Sequence, residues 1–283
     1  MRDFNAMLIY AHLVLIAAIQ GITEFLPVSS SGHLVLLPNL TSLPDQGRTL
    51  DVAAHAGTML AVMIYLRHDI LDMLAGLLNK TSPRSFSGSR YLAGILIIAS
   101  LPVIIFGLAV ELLDPSFMRI TMTVAVANLL CAGWLYFADR TPVIQRLSVS
   151  KRKIDWHHLS QKDAFYIGCA QIIALIPGAS RSGVTMTMAR QLGYDRLSAA
   201  RFSLLLSLPV IAGASLFKAA ALATTPDTKL MISAGIVAFL SFIFALGAIR
   251  WMMSWLSRTD FSVFVWYRIG LGFVLLGYIV LHG

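Results

Sequence analysis

The stretch Gln20-Gly21-Ile22-Thr23-Glu24-Phe25-Leu26-Pro27-Val28-Ser29-Ser30-Ser31-Gly32-His33 sets a carboxylate, three serines and an imidazole into an otherwise apolar region. A second stretch, Pro177-Gly178-Ala179-Ser180-Arg181-Ser182-Gly183-Val184-Thr185, adds a guanidinium and three more hydroxyls. Arg181 stays protonated and presents a planar fork that matches phosphate oxygens. Around it, Ser29, Ser180, Ser182 and Thr185 offer hydroxyls. Gly183, just before a helix expected from Val184, frees backbone N–H groups and a helix N-terminus for an anion. Gln20 and Glu24 are four apart and share a helix face. Oxygen donors of this kind, completed by substrate phosphates, suit Mg²⁺ or Ca²⁺ better than zinc. Ser30 can serve as nucleophile and His33 as its base or as the later acid, and the residues alone leave open which of the two attacks phosphorus. A cation and an arginine that neutralise developing charge are what phosphoryl transfer requires. The expected acting set is Glu24, Ser30, His33 and Arg181.

Plainer readings compete. Glu24 and His33 would also suit a polar pair that holds a turn, and Arg181 could simply pair with Glu24. Ser29, Ser31 and Ser182 read as shaping the tips and satisfying backbone groups rather than reacting. A charged side chain near mid-bilayer costs about 2.5–3.5 kcal/mol on the mildest scale, which favours a site over a wall. Asp51 and His55, at i and i+4, are expected either to steady the metal ligands or to line an interface. His157-His158 reads as solvated loop and Arg268 as a partner of a neighbouring helix or lipid headgroup. Trp251, Trp255 and Trp266 read as interface anchors.

The elements that position these residues are membrane helices. The 283 residues are 57% hydrophobic and 13% charged, with a mean hydropathy of +0.76, whereas a soluble domain carries about 25% charged residues. The net charge of +8 does not point to nucleic acid, because the basic residues lie in short loops between apolar runs. Cys131 and Cys169 lack metal-ligand spacing and read as small buried residues. No small-residue cleavage site follows the first apolar run, so no removable leader is expected.

The piece after His33 is too short to cross, so Met7–Leu26 and His33–Leu40 read as a re-entrant hairpin with a non-helical tip. Asp51–Leu66 is the next helix, closed by Arg67-His68-Asp69 and followed by a polar loop to Arg90. Tyr91–Val110 and Ile120–Ala138 are spans, and a basic loop follows. Ala164–Pro177 and Val184–Leu192 form a second hairpin, after which come spans near Ser198–Ala223, Met231–Ile249 and Phe261–Leu281. The basic loops between Arg67 and Arg90 and after Asp139 should be cytoplasmic, which puts both termini outside.

Sliding the sequence by 151 positions aligns Gln20 with Gln171, Ile22 with Ile173, Ser29 with Ser180, Ser31 with Ser182 and Gly32 with Gly183. The expectation is an all-α integral membrane protein built as an inverted-topology repeat, each half a re-entrant helical hairpin plus three transmembrane helices. The first repeat covers about 7–138, the cytoplasmic loop 139–162 and the second repeat 163–283, all in one membrane domain. Inverted repeats with broken helices put their site where the two tips meet.

Glu24-Phe-Leu-Pro-Val-Ser-Ser-Ser-Gly-His33 and Pro177-Gly-Ala-Ser-Arg-Ser-Gly-Val-Thr185 resemble the two signature motifs of the bacterial undecaprenyl-diphosphate phosphatase family, and Asp51-Val-Ala-Ala-His55-Ala-Gly-Thr58 extends the likeness. The resemblance implies a multi-pass enzyme of the bacterial inner membrane that removes the terminal phosphate of undecaprenyl diphosphate, recycling the lipid carrier for peptidoglycan and other envelope polymers. It also implies a divalent cation, a site open to the periplasmic side, and bacitracin resistance on overexpression, since bacitracin competes for the substrate. Carried over by position, the family's acidic pair falls on Gln20 and Glu24, its serine on Ser30, its histidine on His33, and its second-motif residues on Ser180, Arg181 and Thr185. Gln20 is glutamate in many members, which leaves one carboxylate here. A homodimer is compatible with the sequence, and nucleic acid is not an expected partner.

Two other functions fit parts of the pattern. A polyprenyl-phosphate flippase on the same repeat would need the phosphate cradle but not the hydroxyl, histidine and carboxylate beside it. The other large class of membrane lipid phosphatases follows its Ser-Arg with a histidine six residues after the arginine. Here Thr187 stands at that spacing.

Overall fold

A computed structural model describes residues 2–34, 47–78, 88–113, 115, 118, 120–140, 159–222 and 228–282. Every element among them is helical. α1 (Arg2–Thr23) ends where Thr23 Oγ1 donates back to Ile19 O, and Pro27 prevents the helix from resuming at once. Residues 30–34 then form a short helical return. α2 (Gly47–Tyr65) meets α3 (Arg67–Leu77) at a bend of 81°. α4 (Gly88–Leu113) and α5 (Thr121–Arg140) complete the first half. The second half contains α6 (Gln161–Gln171), a 3₁₀ turn (Ile172–Leu175), α7 (Arg181–Gln191), α8 (Arg196–Leu222), α9 (Thr228–Leu256) and α10 (Ser262–His282). Among the described residues, five helices are long and apolar enough to cross a membrane, or six if α2 and α3 count as one broken span. The protein is a multi-pass helical membrane protein.

Two boundaries depart from the sequence expectation. The segment after Arg67-His68-Asp69 is not all loop: Ile70, Met73 and Leu77 continue a helical period into α3, and Asp69 takes a hydrogen bond from Arg201 at 3.4 Å. Asp139, expected to open a solvated loop, lies in the last turn of α5 and is 4% exposed. It receives Arg190 Nε at 2.8 Å, Arg196 Nε at 2.9 Å and the Phe261 N–H at 3.2 Å. Buried charge needs partners of this kind, and the cluster ties α5, α7, α8 and α10 together. His157-His158 and the rest of the basic loop lie outside the described residues.

Packing is reciprocal between the halves: α1 lies on α9 as α6 lies on α4, while α2 packs on α8 and α9, and α5 on α10. Small residues let the backbones touch. A Cβ on Gly57 would lie 2.0 Å from Ala238 O, and one on Gly168 would lie 2.4 Å from Ala99 O. Close approach through small residues is how helices associate where water gives no hydrophobic drive.

Candidate active site

The two hairpin tips are built alike. Ser29 and Ser180 both adopt left-handed backbone angles, with φ of 70° and 68°. In each tip that serine's Oγ accepts the N–H of the glycine three residues on, Gly32 at 3.3 Å and Gly183 at 3.2 Å. Each Oγ also meets the serine two residues on, Ser31 and Ser182, both at 3.2 Å. A non-glycine residue at positive φ is strained and persists only where its surroundings over-determine it. Here the hydroxyl's bonds to its own tip do that.

The tips also hold each other. Gly178 N–H donates to Ser31 Oγ at 3.0 Å, and Ser182 Oγ donates to Leu26 O at 2.9 Å. Gly178, at φ +96°, leaves no room for a side chain, since a Cβ would stand 2.2 Å from Val124 O. Arg268, fully buried in α10, donates to Gly178 O at 3.2 Å, Ala179 O at 2.9 Å and Asn128 Oδ1 at 3.0 Å. The expected helix partner of Arg268 is therefore Asn128 on α5, and its main task is to gather the carbonyls of the second tip.

Glu24 lies at the join. Arg181 NH2 donates to its Oε1 at 3.0 Å. Its Oε2 accepts from Gln20 Nε2 at 2.9 Å and Ser30 Oγ at 3.2 Å, with His55 Nε2 3.9 Å away. The Glu24 and Arg181 side chains are only 9% and 13% exposed, so their attraction is weakly screened. Arg181 also reaches Ser203 O at 3.4 Å and lies over the Phe25 ring at 5.8 Å.

Both imidazoles have assignable tautomers. His33 Nδ1 lies 2.7 Å from Ser29 O and His55 Nδ1 lies 2.8 Å from Asp51 O. A carbonyl only accepts, so each Nδ1 carries a proton, and in that tautomer Nε2 presents a lone pair. For His55 that lone pair takes Gln20 Nε2 at 3.1 Å. For His33 it takes the Tyr267 hydroxyl at 2.5 Å, with the two rings stacked at 5.6 Å between centroids.

Of the expected residues, Gln20, Ser30, His55 and Arg181 are thus brought together around the Glu24 carboxylate. Ser30 bonds to Glu24, and His33 is engaged with Ser29 and Tyr267. Asp51 serves His55 through its main-chain carbonyl. Ser29 and Ser182 are 1% exposed and shape the tips. Thr185, also 1% exposed, directs its hydroxyl to Arg181 O at 2.9 Å and Ser203 Oγ at 2.7 Å. Tyr267 and Asn128 carry no motif, and their only signal in the sequence is polarity within an apolar span.

As for a cation, Gln20 Oε1 is buried without a hydrogen-bond partner, beside the Glu24 carboxylate. No cluster of three or more His, Cys, Asp or Glu exists among the described residues. Two oxygen donors fit a hard cation that takes its remaining ligands from substrate phosphates and water, and do not fit an all-protein cage.

The family profile described as bacitracin resistance protein BacA matches residues 13–274. The chain is 43% identical over 268 residues to a protein named undecaprenyl-diphosphatase from Roseobacter denitrificans, covering 94% of this chain and 97% of that one. It is 44% identical over 267 residues to a protein of the same name from Ruegeria pomeroyi, covering 94% and 97%. The likeness to the undecaprenyl-diphosphatase of Maricaulis maris is 43% over 276 residues, covering 95% and 98%. Both tips lie inside the matched region, and the chain belongs to the bacitracin resistance protein BacA family.

Proposed function

We infer that the chain is an undecaprenyl-diphosphatase, which hydrolyses the terminal phosphate of undecaprenyl diphosphate and returns the monophosphate carrier to envelope polymer synthesis. The observation that carries this reading is the Glu24–Arg181 pair with Ser30 on the same carboxylate. It joins an anion-binding fork, a base and a hydroxyl at one point. A flippase would need only the first of these.

When the diphosphate enters, Arg181 exchanges Glu24 for phosphate oxygens, and Glu24 is released beside Ser30. The Ser30 Oγ forms a bond to the terminal phosphorus as its proton passes to Glu24. The bond from phosphorus to the bridging oxygen breaks, and the polyprenyl monophosphate departs with that oxygen. Water then attacks the phosphoserine phosphorus, passing its proton to His33 Nε2 as the Tyr267 hydroxyl gives up that nitrogen; the bond from phosphorus to Ser30 Oγ breaks, and Glu24 returns its proton to Oγ. Mg²⁺ or Ca²⁺ held by Gln20 Oε1 and Glu24 would supply charge neutralisation at the phosphate oxygens.

The halves are read as inverted copies in the bacterial inner membrane, with the site open to the periplasm and both termini on that side. The reciprocal packing and the matching tips support the repeat, and the basic residues of the loops support the orientation. Bacitracin would act by sequestering the same lipid. The test is phosphate release from a long-chain polyprenyl diphosphate by purified protein in detergent, with and without excess chelator. Chelator-sensitive release is expected. Absence of release under every divalent cation from folded protein would overturn the reading.

A further inference from the structure

Arg268 carries a charge that nothing beside it balances. It lies within α10, is 0% exposed, and stays protonated there. The groups bonded to it are neutral: Asn128 Oδ1 takes its Nε, and the Gly178 and Ala179 carbonyls take NH2. Asn128 Nδ2 closes the clasp by donating to Arg268 O at 2.7 Å. The Cys131 thiol, one turn along α5 from Asn128, faces the same guanidinium. NH1 has no hydrogen-bond partner, and among the described residues no carboxylate pairs with Arg268. This nitrogen is aimed at the first turn of α7, where a Cβ on Gly183 would stand 2.7 Å from it. A buried charge without a counter-charge is costly to keep. Glu24 and Arg181 cancel each other, so the charge left over where the tips join is that of Arg268.

We propose that Arg268 is a positioning residue for the anion: its unbalanced charge, delivered through the second tip, is met by the diphosphate head group. This rests on the reading that the joined tips take a phosphate anion, and not on the hydrolysis that follows. The route runs through peptide groups. A peptide is planar and trans, so the Ser180 N–H points away from the Ala179 carbonyl that Arg268 holds. The Ala179 N–H is spent on Ile176 O at 3.1 Å. That of Ser180 stands at the N-cap of α7, and those of Arg181 and Ser182 follow it without partners inside the helix. A cation on the carbonyl side polarises such a donor and strengthens its bond to an anion on the other side. In a weakly screened interior the charge also acts directly. A terminal phosphate brings about −1.5 to −2 charge at pH 7, more than Arg181 alone balances once it has left Glu24. Gly183 gains a reason as well, since any side chain there would meet a guanidinium pinned at Asn128, Gly178 and Ala179.

Cys131 provides the test, because it faces Arg268 without belonging to either tip. It also lines an open groove of about 390 Å³, where a slightly larger side chain has room. Cys131→Asp and Cys131→Asn differ in charge and hardly in shape, and both leave the Asn128 clasp in place. Binding of inorganic diphosphate to the purified protein is measured by titration calorimetry with Mg²⁺ in the buffer, and Tm by thermal unfolding in the same detergent. The asparagine variant is expected to bind within about twofold of the unsubstituted protein, since it leaves the charge unaltered. The aspartate variant is expected to bind about tenfold more weakly than the asparagine variant. Its Tm should be no lower, because the new carboxylate pairs with Arg268. Loss of affinity without loss of stability is what a charge gives and a packing role does not. Equal affinities for the two variants, or weaker binding that comes with a lower Tm, overturns the proposal.

If the variants at position 131 do not fold, Asn128→Asp repeats the comparison against the native asparagine, since its Oδ1 still takes Arg268 Nε. It should show the same weaker binding with Tm retained, and unchanged binding overturns the proposal. The absence of diphosphate binding by folded unsubstituted protein overturns it together with the anion-site reading beneath it. A tenfold split in affinity with no hydrolysis of a long-chain diphosphate by any variant sinks the phosphatase reading and leaves the role of Arg268 standing. Hydrolysis with equal affinities does the reverse.

Discussion

Glu24 answers to four polar neighbours, and most of the site's chemistry can be tested through it. Removing one member of a shielded ion pair leaves the other uncompensated, which costs roughly 3–5 kcal/mol in a fully buried pair and less where water reaches it. Glu24→Gln and Arg181→Ala are expected to lower kcat/KM by about 10³-fold or more and also to lower the Tm. The double variant Glu24→Gln/Arg181→Gln should recover Tm but not turnover, a split that thermal unfolding and phosphate release measured on one preparation would reveal. Ser30→Ala should abolish turnover, and ³²P from a terminally labelled diphosphate should be trapped on Ser30 of the unsubstituted protein after acid quench. Label on His33 would instead make the imidazole the nucleophile. Tyr267→Phe removes the hydroxyl that caps His33 Nε2 and is expected to change kcat with little change in KM, read from full kinetic curves. The motif residues were legible in the sequence because each is an anomaly in an apolar context. Tyr267 was not: its partner is 234 residues away, and a tyrosine in a membrane helix is most simply an interface anchor. Trp251, read as such an anchor, also lines an apolar groove between the first tip, α9 and α10.

Among the elements, hydrophobic run length gave the spans well and the breaks less well. Arg67-His68-Asp69 read as a stop signal and α2 does end at Tyr65, yet the next residues keep a helical period, so α3 follows at once at an angle of 81° where a loop was expected. The same limit hid the role of Asp139, since a loop charge and a buried charge look alike until Arg190 and Arg196 are seen to converge on it. Helix contacts through glycine were equally silent in the sequence. Gly57→Ala would force α2 off α9, where the backbone stands 2.0 Å from the new methyl group. A destabilisation of about 1–3 kcal/mol is expected, as for overpacked cores. Gly94→Ala, on α4, meets nothing within 4 Å and should leave Tm unchanged or slightly raised, because alanine favours helix. Thermal unfolding of the two variants in the same detergent compares them directly.

Across the whole molecule, the site exists only where the halves meet. The first tip holds the second through Ser31, and the second holds the first through Ser182. Glu24 and Arg181, which complete each other, are 157 residues apart in the chain. This separation sets a clock on biogenesis. At about 5–20 residues per second, Arg181, 157 residues on, leaves the ribosome roughly eight to thirty seconds after Glu24. Throughout that interval the first hairpin carries a carboxylate with no cation to meet it, so its final insertion waits for the second half to arrive. A nascent chain arrested before α6, with Glu24 in place, should therefore keep a cysteine at position 30 of the same tip (Ser30→Cys) open to a water-soluble maleimide, and a chain released after α7 should protect it. Protection in the arrested chain would mean that the first hairpin needs no partner to settle. The wait leaves the unpaired hairpin to the insertion machinery, and a variant that slows arrival of the second tip should be degraded as a membrane-insertion intermediate before it is ever an inactive enzyme.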